Sequence, residues 1–238
     1  KSNMGSPQER KRIYIVLGVF GTLALITPFL DLFLQSLVTE IHIFGLLAMS
    51  LDILLGFTGL ASLGHAAYFG VASYASAIVM TKKSWVITYA MYTGASEAGL
   101  GLLFLFFVGI LVAFIFAAFF GFLAIRAKDV YFLMITLSLA MVVWGLAYRW
   151  SAVTEGDNGI IINERPTLLG MSIAEGLPFF YFTLVAFLLC LGALYVIVQS
   201  PFGRTLVGIR EREERMEMLG YNIWLHKYLA FIIAGTFS

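Results

Sequence analysis

Charged side chains are scarce in this chain of 238 residues: Asp, Glu, Lys and Arg make up 12% of it, against 61% hydrophobic residues. An ordinary soluble domain carries about a quarter charged residues. Half that density cannot clothe a globule of this size in polar side chains, which excludes a soluble enzyme and a disordered segment. Cysteine is limited to Cys190, so there is no internal disulfide and no disulfide scaffold. Its neighbours Leu188, Leu189 and Leu191 mark it as an inert thiol facing core or lipid. Lys plus Arg is 15 and Asp plus Glu is 14, so no basic field argues for nucleic acid. Catalytic signatures are missing too. The chain has no H-E-x-x-H, G-x-S-x-G or G-x-G-x-x-G. Gly203-x4-Gly208 is followed by Ile209-Arg210, where a phosphate loop needs Lys and Ser or Thr. The chain is therefore expected not to be an enzyme and to hold no cofactor, with any ATP hydrolysed on a separate chain.

What is present is a series of long uncharged runs: 13–30, 53–81, 98–125, 130–148 and 176–203. A helix crosses the bilayer hydrocarbon with about 20 apolar residues. The pattern predicts an all-α, polytopic transmembrane bundle with segments at about 13–30, 37–55, 62–80, 101–125, 130–148, 177–199 and from 227 onward. Residues 1–12 form a tail and 13–238 the transmembrane domain. The last segment is short where the sequence stops, and the chain begins with Lys1, so it reads as part of a longer polypeptide. The first segment follows Arg10, Lys11 and Arg12 like a secretory signal, but its apolar run is long and no A-x-A-like site follows, so a retained helix is expected. With the N-terminus cytoplasmic, eleven of the Lys and Arg residues fall inside and four outside, which favours that orientation.

Residues 53–77 read ILLGFTGLASLGHAAYFGVASYASA. Ser62, Ala66, Gly70, Ser73 and Ala77 share one helical face, and small residues let helices approach closely in lipid. A packed helix pair accounts for that face. Gly56, Gly59 and Gly64 carry a second reading, because each weakens a helix by about 1 kcal/mol relative to Ala. A break there frees backbone polar groups, which at membrane depth are tolerated only against protein or a water-filled cavity. Thr58, Ser62 and His65 flank it, so these six residues form a candidate polar step for a small zwitterion or neutral solute. His65 alone reads first as a hydrogen-bonded packing residue rather than a ligand. No metal ligand stands at its i+3 or i+4 position, and no metal site is expected. Glu40 is placed near the outer interface. Asp52, near the inner end, reads as a capping acid or as an ion-coupling residue.

Two polar loops stand out. The loop at 149–176 carries Thr154-Glu155-Gly156-Asp157-Asn158-Gly159, dense in turn formers. Ile160, Ile161 and Ile162 after it suit a short strand or a membrane-surface contact. The acidic turn is either simply solvated or meets a partner outside the membrane. The loop at 200–226 predicts a helix over 205–219 that stops at Gly220. The pairs Arg210–Glu214 and Glu211–Arg215 support it at i,i+4 spacing. Leu206, Ile209, Met216 and Leu219 are its apolar anchors, for the bilayer surface or for a groove in a cytosolic partner.

Three stretches in order resemble the branched-chain amino acid ABC permease family, of the LivM type: 51–77, TEGDNGI at 154–160 and SPFGRTLVGIREREERMEMLGYN at 200–222. The resemblance implies an inner-membrane permease of a bacterial or archaeal cell. It would pair with a second permease subunit, two cytosolic ABC ATPase subunits and an extracytoplasmic solute-binding protein. The helix near 205–220 would be the coupling helix, with Glu217, Leu219 and Gly220 at the matching acid-x-Leu-Gly positions and Arg210 and Arg215 beside them. Glu155, Asp157 and Asn158 would lie in the outer docking loop, Glu155 and Asp157 in place of the family's glycines. The charged run from Glu213 to Met216 also departs from the family. Urea and short-amide permeases share the first motif. A solute channel and an ion-coupled secondary transporter are rivals from other classes: the first leaves the 205–220 helix unassigned, the second makes Asp52 or Glu40 central.

Overall fold

The computed structural model describes residues 18, 20–81, 91–94, 100–127, 129–162, 167–168, 171–172 and 176–238. The N-terminal tail at 1–12, with the start of the first segment, lies outside the described residues, as do Lys82, Lys83, Lys128 and Arg165. The fold is the expected all-α membrane bundle. Helix α1 spans Phe20–Phe29 and closes in a tight turn at Pro28. Helix α2, Leu32–Asp52, continues into a wider π turn, Ile53–Thr58. Then come α3, Ala66–Thr81, α4, Gly101–Ala124, and α5, Asp129–Arg149. A single turn, α6 at Ser151–Thr154, leads to the loop that carries a two-rung antiparallel ribbon, β1 Thr167–Leu168 against β2 Met171–Ser172. Helix α7 is Leu177–Gln199, followed by α8, Pro201–Glu211, α9, Glu213–Met218, and α10, Ile223–Phe237.

Among the described residues, four helices are long and apolar enough to cross a membrane: Leu32–Thr58, Gly101–Ala124, Val130–Arg149 and Leu177–Gln199. Phe20–Phe29, Ala66–Thr81 and Ile223–Phe237 are apolar and shorter. The lipid-facing surface is built from residues such as Phe107, Leu111, Met141 and Leu189, all exposed. In water such a patchwork would drive association. Trp144 stacks on Tyr148 at one end of the bundle and Trp224 on Tyr228 at the other, in the manner of interfacial belts.

Packing fixes the relative helix directions. Ser50 meets His65, and Phe44 lies 6.5 Å from Phe69, so α2 and α3 are separate antiparallel helices. Ser76 donates to the Leu105 carbonyl while Tyr68 meets Phe120, so α3 and α4 are antiparallel too. Gly45 faces Phe187 and Gln35 lies beside Gly176, so α2 and α7 run parallel. This is the alternation that consecutive passes require.

The tightest helix pair is not the one the small-residue face suggested. A Cβ on Gly235 of α10 would stand 2.6 Å from the Ala117 Cβ of α4, and one on Gly121 would stand 2.7 Å from Phe231. Ala117 and Gly121 stand at four-residue spacing on α4, where Gly235 and Phe231 of α10 lie against them and Ala230 and Ala234 are buried in the same core, a small-xxx-small contact. On α3, by contrast, nothing lies within 4 Å of a Cβ on Gly70. Together with Ala66 and Tyr74 it lines an open groove of about 930 Å³ toward α5. The contact of α3 with α4 uses Ala72 and Ser76 instead, against Gly109.

The main core gathers at one end of the bundle. Ile53, Leu54, Tyr68, Phe120, Phe132, Leu206 and Phe231 pack together there, uniting the end of α2 with α3, α4, α5, α8 and α10. Phe231 is fully buried, with its ring edge-on to Tyr68 and Phe132.

Candidate functional site

The glycine-rich segment is broken where the glycines stand. The π turn ends on Gly59, whose φ of 75° is left-handed and free of strain only for glycine. The Leu54 carbonyl collects the ends of the break: it accepts from the Thr58 hydroxyl at 2.5 Å and from the backbone N–H of Leu60 at 3.0 Å. Residues 59–65 then run without regular structure until α3 begins at Ala66. Much of the irregular piece is held against protein, with Leu60, Ser62, Gly64 and His65 buried. Gly64 presses on α5, where a Cβ would stand 2.3 Å from the Thr136 carbonyl oxygen. Beside it the Leu63 N–H donates to the Thr136 hydroxyl at 3.3 Å.

The six residues singled out around the break are thus brought together, with different exposures. Thr58, Ser62, Gly64 and His65 are buried, Gly56 is half-buried, and Gly59 is exposed. His65 shares a hydrogen bond of 3.1 Å with the Ser50 hydroxyl. Its other ring nitrogen faces the Ala234 backbone of α10 without closing a good hydrogen bond. Asp52 is exposed and folds its carboxylate back over Gly56, where a Cβ would be 2.3 Å from its Oδ1. Glu40 is exposed. Sequence reasoning missed Ser50 and Thr136, hydroxyls on neighbouring helices whose proximity only the packing reveals.

The loop at 200–226 differs from the single helix expected over 205–219. Helix formation starts earlier, because Ser200 caps the Gly203 N–H and Pro201 occupies the first turn. It breaks at Arg212, which is extended with φ −155° and ψ 98°. The break separates Arg210 and Glu211 from Glu214 and Arg215, and neither i,i+4 ion pair forms among the described residues. Glu213 pairs instead with Lys227 of α10. The anchors divide as well. Leu206 and Ile209 are fully buried in the bundle, and Met216 packs on Gly208. Leu219 is 65% exposed and Met218 85%. Helix α8 therefore packs into the bundle through Leu206 and Ile209, while α9 projects. Arg215 and Glu217 are exposed on α9, and Gly220, with φ 85°, ends the unit as expected.

Arg210 joins these two regions. Its guanidinium donates a hydrogen bond to the Gly56 carbonyl inside the π turn, and its stem lies against Gly59. A Cβ on Gly59 would stand 3.1 Å from the Arg210 Cγ. The last turn of α8 thus holds a carbonyl that the irregular helix has left without a regular partner.

At the opposite end, Glu155, Asp157 and Asn158 sit on an exposed turn. Thr154 anchors it: its one hydroxyl proton is shared between the Ala147 carbonyl at 2.5 Å and the Trp150 carbonyl at 2.9 Å, and its oxygen accepts from the Gly156 N–H. Glu155 has φ 62°, the left-handed region that favours glycine. Ile161 and Ile162 are exposed and form no strand; the ribbon lies further along, at 167–172.

Comparison with known proteins agrees with this arrangement. The family described as "Branched-chain amino acid transport system / permease component" matches residues 33–238. The chain is 26% identical over 230 residues to the "High-affinity branched-chain amino acid transport system permease protein LivM" of Escherichia coli K12, covering 85% of this chain and 50% of that protein. It is 25% identical over 226 residues to the protein of the same name from Salmonella typhimurium LT2, with 85% and 50% covered. It thus spans about half the length of these curated relatives. No solved structure matches it. With the match running through the broken segment, α8 and α9 alike, this multi-pass membrane chain belongs to the branched-chain amino acid transport permease family.

Proposed function

We propose that the chain is a membrane-spanning subunit of an ATP-driven ABC importer for branched-chain or related amino acids, working by alternating access. Separate cytosolic ATPase subunits hydrolyse the ATP, a second permease subunit completes the membrane unit, and an extracytoplasmic binding protein delivers the solute. The N-terminus is cytoplasmic, and the membrane is the inner membrane of a bacterial or archaeal cell. The single observation that carries this reading is the Arg210–Gly56 hydrogen bond. A channel needs no link between the loop helix α8 and the helix break, whereas an importer worked from the cytosol requires one. Arg210, Arg215, Glu217, Leu219 and Gly220 form the coupling surface. Gly56, Thr58, Gly59, Ser62, Gly64 and His65 line the solute path at the break, and Glu155, Asp157 and Asn158 the outer docking turn.

Cross-linking tests the coupling surface. In a Cys190→Ala background, Met218→Cys or Leu219→Cys in the assembled transporter should cross-link to the ATPase subunit, in a yield that changes when ATP is bound. Cross-links from these positions to lipid-phase reagents only would overturn the assignment. Uptake of leucine, isoleucine and valine set against urea and acetamide decides the solute class.

A further inference from the structure

The buried residues of α2 are all polar: Gln35, Thr39, His42 and Ser50. Gln35, Thr39 and His42 follow one another at helical spacing, and Ser50 stands on the same face two turns further, past Leu46 and Met49, which pack on the main core; the four span about 22 Å at ~1.5 Å per residue, on a helix whose exposed face is mostly apolar (Ile41 and Phe44 among others). A membrane helix ordinarily turns small or apolar residues to its neighbours, and polar ones held at depth mark pathways. This seam runs between α2 and the parallel α7 and continues through the Ser50–His65 bond into the break.

Four buried side-chain atoms along it have no hydrogen-bond partner among the described residues: Gln35 Oε1, His42 Nε2, Ser62 Oγ and His65 Nδ1. Their chemistry is selective. The Gln35 amide nitrogen donates to the Thr27 and Leu30 carbonyls, which leaves its oxygen as a free acceptor beside Gly176. His42 Nδ1 lies 2.6 Å from the Val38 carbonyl and must donate its proton there, so in the neutral ring Nε2 is an acceptor as well. The rings of Phe20, Phe180 and Phe187 surround His42 with centroids 5.3–5.7 Å away. Two free acceptors and a set of aromatic faces suit a ligand group rich in N–H donors, above all an ammonium.

We propose that the buried face of α2 is a binding track for the ammonium end of the solute, entered at Gln35 and leading past His42 to His65. This rests on the permease reading and adds to it the residues that recognise the cargo.

The test is thiol accessibility in membrane vesicles holding the complete transporter with Cys190→Ala. Thr39→Cys and Ser50→Cys should react with a methanethiosulfonate ethylammonium reagent about tenfold or more faster than Ile41→Cys and Phe44→Cys, since one unit of thiol pKa alone sets such a factor between wet and apolar sites. Leucine should protect them and N-acetyl-leucine should not. Slow labelling of both seam positions in vesicles that still take up leucine would overturn the track and leave the importer standing. Equal protection by N-acetyl-leucine would overturn the ammonium assignment. Fast labelling in vesicles that take up no leucine would overturn the importer reading and leave the seam wet.

Discussion

Arg210 and Gly56, 154 positions apart in sequence, are joined by a hydrogen bond from the guanidinium to the carbonyl of the π turn. The arginine comes from a helix whose buried face is part of the main core, through Leu206 and Ile209. Displacement of α8 therefore reaches the helix break directly, through one side chain and the packing beneath it. Arg210→Met should lose that transmission. Leucine uptake is expected to fall about tenfold, the equivalent of one charge-assisted hydrogen bond of ~1.5 kcal/mol, with ATP hydrolysis by the complex retained. Arg210→Lys, which keeps a donor on a flexible stem, should retain part of the uptake. Parallel uptake and ATPase assays on the reconstituted complex check this.

Gly64 tests the seal between the break and α5. Its Cβ position is occupied by the Thr136 carbonyl oxygen, which belongs to a helix backbone and yields little. Gly64→Ala should destabilise the protein by about 1–3 kcal/mol through overpacking. A lower unfolding temperature in detergent is the readout.

Gly59 and Gly220 both adopt left-handed backbone, but only Gly59 has a neighbour at its Cβ position. Gly220→Ala should cost about 1–2 kcal/mol, the backbone term alone. Gly59→Ala should cost more, because the Arg210 stem must also move, and it should depress uptake as well. Thermal unfolding and uptake measured on the same preparations separate the two effects.

Glu155 holds a left-handed conformation without being glycine. Glu155→Gly removes a strain of about 1–2 kcal/mol and adds unfolded-state entropy of about 0.4–1 kcal/mol. Unfolding temperature should stay the same or rise, whereas Glu155→Val should lower it.

The apolar runs made the seven apolar helices legible, because crossing hydrocarbon demands length and apolarity that few other folds share. The break was legible from Gly56, Gly59 and Gly64, and the stop at Gly220 from the cost of left-handed backbone. The interruption at Arg212 was not, since the charged run around it contains neither Gly nor Pro. The Ala117–Gly121 pair was hidden among phenylalanines, and the showier small residues of α3 drew the packing assignment to the wrong face. That Arg210 also bonds the Gly56 carbonyl was not legible, because the two residues lie 154 positions apart in sequence. The polar face of α2 was present in the spacing of Gln35, Thr39 and His42, but an isolated polar residue in an apolar run reads as an interruption until the packing shows which face is buried.

Vesicles that hold this chain with its second permease subunit, with and without the ATPase subunits, provide the most direct measurement. Leucine supplied with its binding protein should accumulate against its gradient only when the ATPase subunits and ATP are both present, and Arg210→Met should abolish most of that accumulation. Uphill accumulation without the ATPase subunits would contradict the importer reading outright.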